Sequence, residues 1–199
     1  MESITDLIQQ QRQSMQRQQP SQNSLRPTDR TEAVTRFCQT YTPDYQQVIC
    51  ASADTCFFGN YPTLAKVRND LGSNAAVAWI IPQLTNLAVY CGCRDKLSKE
   101  QYKDCAFVIA TEFYYLKISE LMLFFHRFKA GRYGRFYGSV DPLVITTAIR
   151  EFIAERAIAY ERHDQAVRDA REKEQLRKNP PITYEEYKRL EAEEAKKST

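Results

Sequence analysis

The sequence predicts an all-α protein: a compact multi-helix bundle with a long, partly projecting C-terminal helix and a Gln-rich flexible N-terminal arm. Three observations carry this class. Apolar residues recur at helical spacing through the middle of the chain. Helix-start and helix-stop residues bracket each periodic segment. No stretch shows convincing strand alternation, and there is no internal repeat. The organisation follows as residues 1–30 for the arm, 31–160 for a helical core domain, and 161–199 for a charged helical extension.

The arm holds eight glutamines between Gln9 and Gln22, after a short apolar cluster of Ile4, Leu7 and Ile8. Such a tract buries too little surface to offset its ordering entropy. Structure is expected from Thr31, with a short helix over Glu32 to Thr40. Thr42 and Pro43 supply an N-cap and N1 pair for a second helix reaching about Ala51. Cys56-Phe57-Phe58-Gly59 reads as a tight apolar connection. Tyr61-Pro62-Thr63 opens a helix that Gly72 ends as a C′ glycine.

Ser73 or Asn74 caps the next segment, AAVAWIIPQLTNLAVY, which is apolar on nearly every face and is the expected central core helix. Pro82 inside it predicts a kink. Gly92 closes it. Ser98-Lys99-Glu100-Gln101 is a capping box, and the helix it opens runs to about Leu116 through Tyr102, Cys105, Ala106, Ile109 and Phe113. After a break at Lys117-Ile118, Ser119 caps a helix ending before Gly131, with Glu120 favourably placed at its positive end.

Asp141-Pro142 is a further N-cap and N1 pair. No proline or glycine follows until Pro180, so one helix of roughly 36 residues, ~54 Å long, is expected. Ile145, Ile149, Phe152, Ile153 and Ala157 form its apolar stripe. Beyond Tyr160 it is almost wholly charged, with Val167 and Leu176 as its large apolar residues, and is expected to project or to lie against a partner. Thr183-Tyr184-Glu185-Glu186 opens a last amphipathic helix with Tyr187, Leu190 and Ala195. Residues 161–199 hold ten basic and ten acidic side chains, a balance suited to surface ion pairs.

One segment asks for a ligand. From Leu121 to Val140 there is no carboxylate, while Arg127, Lys129, Arg132 and Arg135 stand among Tyr133, Phe136, Tyr137 and three phenylalanines. Leu121 to Phe128 is at core helix spacing. The glycine-punctuated remainder interleaves loop cations with rings, a pattern suited to phosphates and stacked bases. The candidate nucleic-acid-binding residues are therefore Arg127, Lys129, Arg132, Tyr133, Arg135, Phe136 and Tyr137, with DNA as the expected partner. A purely structural loop is the alternative. The net charge of +3, from 28 basic and 25 acidic residues, adds no global argument for nucleic acid.

Six cysteines occur, with Cys91-Gly92-Cys93 as the closest pair. One C-x-C and two scattered histidines do not make a zinc pattern. The start MESITDLIQQQ is not a signal peptide, so a cytoplasmic protein with reduced thiols is expected. No apolar run approaches the ~20 residues of a membrane span. No nucleotide-loop, zinc-protease or serine-hydrolase motif is present, and no enzyme, metal or cofactor is expected.

The segments PTLAKV (62–67), AWIIPQLTNL (78–87), GCRDKLSKEQ (92–101) and the run from Ala110 to Phe152 resemble a domain-of-unknown-function family of gut anaerobes and their mobile elements. That resemblance implies no activity. Tyr115-Leu116-Lys117, Glu120, Gly131, Tyr133, Gly134, Tyr137 and Asp141 follow an order similar to small helical replication proteins of phages and plasmids. Those are replisome organisers and helicase loaders, which bridge origin DNA and the replicative helicase. This chain lacks their winged-helix and ATPase segments. The likeness implies a non-enzymatic adaptor in DNA replication or mobile-element maintenance, engaging a protein partner through the C-terminal helices. The alternative is a protein-interaction scaffold without nucleic-acid binding.

Overall fold

The computed structural model describes residues 27–93, 97–134, 136, 140–181 and 183–197. The Gln-rich stretch 1–26 lies outside them. The described elements are α1 (Pro27–Thr40), a 3-10 turn (Pro43–Tyr45), α2 (Gln46–Ile49), α3 (Ala53–Phe58), α4 (Leu64–Leu71), α5 (Ala75–Tyr90), α6 (Lys99–Glu112), α7 (Ile118–Lys129), α8 (Pro142–Lys178) and α9 (Tyr184–Lys197). Among the described residues there is no strand, so the chain is all-α.

The core forms where two strongly apolar helices meet the rest. α5 buries Trp79, Ile80, Leu84 and Leu87, and α7 buries nine of its residues, Ile118 to Phe125 and Phe128. Phe152 of α8 completes the centre, with its ring 5.9 Å from that of Phe124 and 6.0 Å from that of Phe57. Aromatic pairs at such spacings add about 0.5–1.5 kcal/mol beyond area burial.

Two helix starts are stitched together by a short non-helical contact. Thr63 and Lys117 form an antiparallel bridge. Leu64 N–H donates to Leu116 O at 2.9 Å, and Ile118 N–H donates to Pro62 O at 3.0 Å. The orphan N–H groups of two helix N-termini thus find partners in the other segment. The bridge also aims the Lys117 ammonium at Phe57 O and Gly59 O, 2.7 and 3.0 Å away. A cation there sits at the negative end of α3.

Several boundaries differ from the sequence reading. Among the described residues α1 covers Pro27–Thr40, so residues 27–30 of the stretch assigned to the arm are helical. The helix expected over 43–51 divides into the 3-10 turn and the one-turn α2. The expected connection Cys56-Phe57-Phe58-Gly59 is instead the end of α3, capped by Ser52, whose hydroxyl accepts from Thr55 N–H. Burial of Cys56 and Phe57 against α7 holds that short helix, which local propensity would not. Lys117, not Ser119, is the N-cap of α7. Ser119 is buried, and its hydroxyl donates to Cys56 O at 2.7 Å.

Pro82 lies within α5 without ending it. The carbonyl it leaves unpaired belongs to Ala78, an exposed residue, so water can serve it. α5 and α7 both end in a Schellman arrangement. Gly92 and Gly131 take φ values of +64° and +81°. Gly131 N–H donates to Phe128 O and Arg132 N–H to Arg127 O, satisfying carbonyls the helix would otherwise leave open.

α8 has 37 residues, about 55 Å of helix. Asp141 caps it, accepting from Leu143 N–H at 2.8 Å. Ile145, Ala148, Ile149 and Phe152 are its buried stripe, whereas Ala157 is exposed because it lies off the face that Arg156 and Tyr160 continue. The last aromatic contacts are Tyr160 and His163, whose rings lie 5.2 and 4.0 Å from that of Phe58. From Asp164 to Lys178 every residue is exposed. No helix among the described residues is long and apolar enough to cross a membrane.

Candidate functional site

The basic-aromatic segment leaves α7 through the Gly131 turn and reaches α8 at Asp141. Its absence of acids along the chain does not survive folding. Glu155, one turn beyond Phe152 on α8, accepts from Arg127 Nη1 at 2.7 Å, Arg132 Nε at 2.8 Å and the Tyr133 hydroxyl at 3.1 Å. Two of the expected phosphate-binding cations therefore share one carboxylate. The Arg127 guanidinium also lies 5.7 and 5.9 Å from the ring centres of Phe57 and Phe152, where cation–π attraction favours it.

The rings turn inward as well. Tyr133 is only 8% exposed and stacks on Phe124, with ring centres 5.5 Å apart. Its hydroxyl is pushed up to about 12, first by burial and then by the charge of Glu155. Phe136 stacks on Phe128 at 5.1 Å. Arg132 keeps its side chain about half exposed, at 54%. Arg135 and Tyr137 lie outside the described residues.

Lys129 faces away from this cluster, toward α2 and α5. Its ammonium donates to Gln46 Oε1 at 2.8 Å and to Asn86 Oδ1. Burial pulls its ammonium below the ordinary lysine value, opposed by the negative charge of Asp44. The structure thus separates the seven sequence candidates. Arg127, Arg132 and Tyr133 meet at Glu155, Phe136 packs on the same core, and Lys129 belongs to another face.

Sequence reasoning missed a second polar cluster. Glu120 is fully buried. It accepts from Lys117 N–H at 2.9 Å, Arg156 Nε at 2.7 Å and the Tyr160 hydroxyl at 2.9 Å. Tyr160 is pushed up to about 12 by burial and by its hydrogen bond to Glu120. Both clusters follow one available signal. Glu155, Arg156 and Tyr160 continue the 145–149–152 face of α8 at helical intervals, so their polar groups point at the body rather than at solvent.

The thiols make no comparable centre. All six cysteines are free. Among the described residues no group of three or more histidine, cysteine and carboxylate side chains is placed to hold a metal. Cys56 Sγ donates to Ile49 O at 3.3 Å, and the neighbouring Cys56 thiol together with burial drives the Cys50 thiol up.

A protein-family model, described as a family of unknown function (DUF6633), matches residues 96–197, from just before α6 to the end of α9. No curated protein and no solved structure matches the chain.

Proposed function

The chain belongs to the family of unknown function DUF6633, and from that premise we propose that it is a non-enzymatic protein-interaction module whose body holds out α8 and α9 as a docking arm. The carrying observation is the run from Asp164 to Lys178, a helix exposed at every residue. Helices of about this length are marginal when isolated, and most helical stability in proteins comes from packing. A rigid root in the body makes the outer half a preformed continuation that a partner need not order. α9 adds Tyr184, Tyr187 and Leu190 at three-residue intervals, all exposed. One apolar stripe on a charged helix is the anchor pattern of groove-binding helices.

The test compares the full chain with a Tyr187→Asp/Leu190→Asp variant by light scattering after size exclusion and by affinity capture. A stoichiometric, salt-resistant partner, or a self-associated state, that the variant loses supports the reading. A monomer whose captured proteins are unchanged in the variant sinks it.

A second reading, a DNA-replication or mobile-element adaptor contacting nucleic acid, rests on the half-exposed Arg132 at the Gly131 turn. Arg127 is held by Glu155, which weakens the four-cation form of that reading. Retention on DNA at low salt, with a log–log salt slope steeper than about −2 that Arg132→Ala and Arg135→Ala flatten, favours it. Unchanged affinity and slope in those variants excludes the site.

A further inference from the structure

A cavity of about 310 Å³ opens where the 3-10 turn, α2, α5 and α7 meet. Asp44, Gln46, Asn86, Tyr90, His126 and Lys129 are among its lining residues. The size is at the lower end for small-molecule sites. Its floor is a fixed polar relay. Lys129 donates to Gln46 Oε1, Gln46 Nε2 donates to Gln83 Oε1 at 2.7 Å, and Gln83 Nε2 donates to Tyr41 O at 3.1 Å. Trp79 Nε1 donates to the same carbonyl at 2.8 Å. Gln46 and Gln83 are both buried, and in each both the amide oxygen and the amide nitrogen are hydrogen-bonded, so the ammonium is held from behind.

The charge at the end of this relay lacks a close counter-ion. Among the described residues no carboxylate lies within the 4.0 Å of an ion pair with Lys129 Nζ. Its two hydrogen-bond acceptors are neutral amides. An ammonium has three donors, so one remains uncommitted. The Tyr90 ring, 64% exposed, lies 5.8 Å from Nζ and lends an apolar wall to the same space. A half-buried cation with neutral acceptors, a spare donor and a ring beside it matches an oxyanion attached to a flat or apolar group. Asp44 on the rim is exposed and negative, which disfavours a doubly charged ligand.

We propose that this pocket binds a small carboxylate, with Lys129 donating its third N–H to the carboxylate and Tyr90 covering the apolar part of the ligand. The site is separate from the docking arm and from the Glu155 cluster. It uses Lys129 for a small anion rather than for a phosphate backbone.

Ligand-observed NMR on the full chain tests it with benzoate, the neutral isostere benzamide, and phenyl phosphate. Benzoate should bind with Kd of about 10 mM or tighter, as its few heavy atoms allow. Benzamide should bind at least about tenfold more weakly, the scale of one charge-assisted hydrogen bond. Lys129→Met should abolish the difference, and Asp44→Asn should tighten benzoate by roughly two- to fivefold by removing a like charge. Equal binding of benzoate and benzamide would make Lys129 a strut between helices and overturn the proposal, as would benzoate binding indifferent to Lys129→Met. Phenyl phosphate binding more tightly than benzoate overturns the carboxylate assignment. Should Lys129→Met fail to fold, the Asp44→Asn arm decides alone, because unchanged benzoate affinity there contradicts a ligand anion beside Lys129.

Discussion

The carboxylate of Glu120, fully buried in the first turn of α7, accepts a 2.7 Å hydrogen bond from Nε of Arg156 on α8. The same carboxylate caps Lys117 N–H and takes the Tyr160 hydroxyl. The single hydroxyl hydrogen of Tyr160 is shared between that carboxylate and Phe57 O, 2.7 Å away. One buried acid therefore joins the start of α7, the end of α3 and the point where α8 leaves the body. Burial of a charge is tolerable only when partners surround it in this way.

Glu120→Gln should destabilise the fold by about 3–5 kcal/mol, since it leaves Arg156 without its carboxylate and misdirects one amide hydrogen. Urea unfolding followed by circular dichroism measures this. A loss under about 1 kcal/mol would mean that the network relaxes or hydrates.

Glu155→Gln should be milder, about 1–2 kcal/mol, because Arg127 and Arg132 are partly solvated. It also releases positive charge on the surface of the Gly131 turn. If the nucleic-acid reading holds, this variant binds DNA more tightly than the parent chain at low salt. Filter retention of both proteins at matched salt reads the sign.

Alkaline pH should unfold the protein through its buried phenols. Tyr133 and Tyr160 are raised in the folded state to about 12, from an ordinary value near 10. The fold prefers the neutral hydroxyls. Their contribution is therefore complete below pH ~10 and is lost as pH rises toward 12. Phenolate absorbance should show these two ionising late and together with loss of helical signal. Replacing Tyr133 by Phe should remove one late step.

Gly131→Ala should cost about 1–2 kcal/mol through backbone strain alone. Its φ is +81°, and an added Cβ would meet no atom within 4 Å. Chemical denaturation of this variant isolates the left-handed turn from any packing change.

Amide exchange should divide α8. Amides around Ile149 and Phe152 belong to the core and exchange only with global opening. Amides from Asp164 to Lys178, exposed throughout, should exchange within a few orders of magnitude of an unstructured chain until a partner binds. Uniform protection along α8 in the isolated protein would contradict the projecting arm.

Much of the helix map was readable beforehand. The Ser98 capping box, the helix ends at Gly92 and before Gly131, and the Asp141-Pro142 start all stand where expected, while Gly72, expected as a C′ glycine, is itself the C-cap. Each depends on contacts within a few residues. The errors share the opposite cause. Cys56 and Phe57 became helical, and Ser119 became a buried donor, through contact with residues about sixty positions away.

The sequence by itself determined the helical class, the long α8 and its change from apolar to charged near Tyr160, because periodicity and capping are local properties. Only the tertiary structure decided what the cations of the basic segment face. Glu155 lies 28 positions from Arg127, and Gln46 lies 83 from Lys129. Electrostatic environment depends on distance in space, and folding brings together charges and acceptors that no count along the chain can pair.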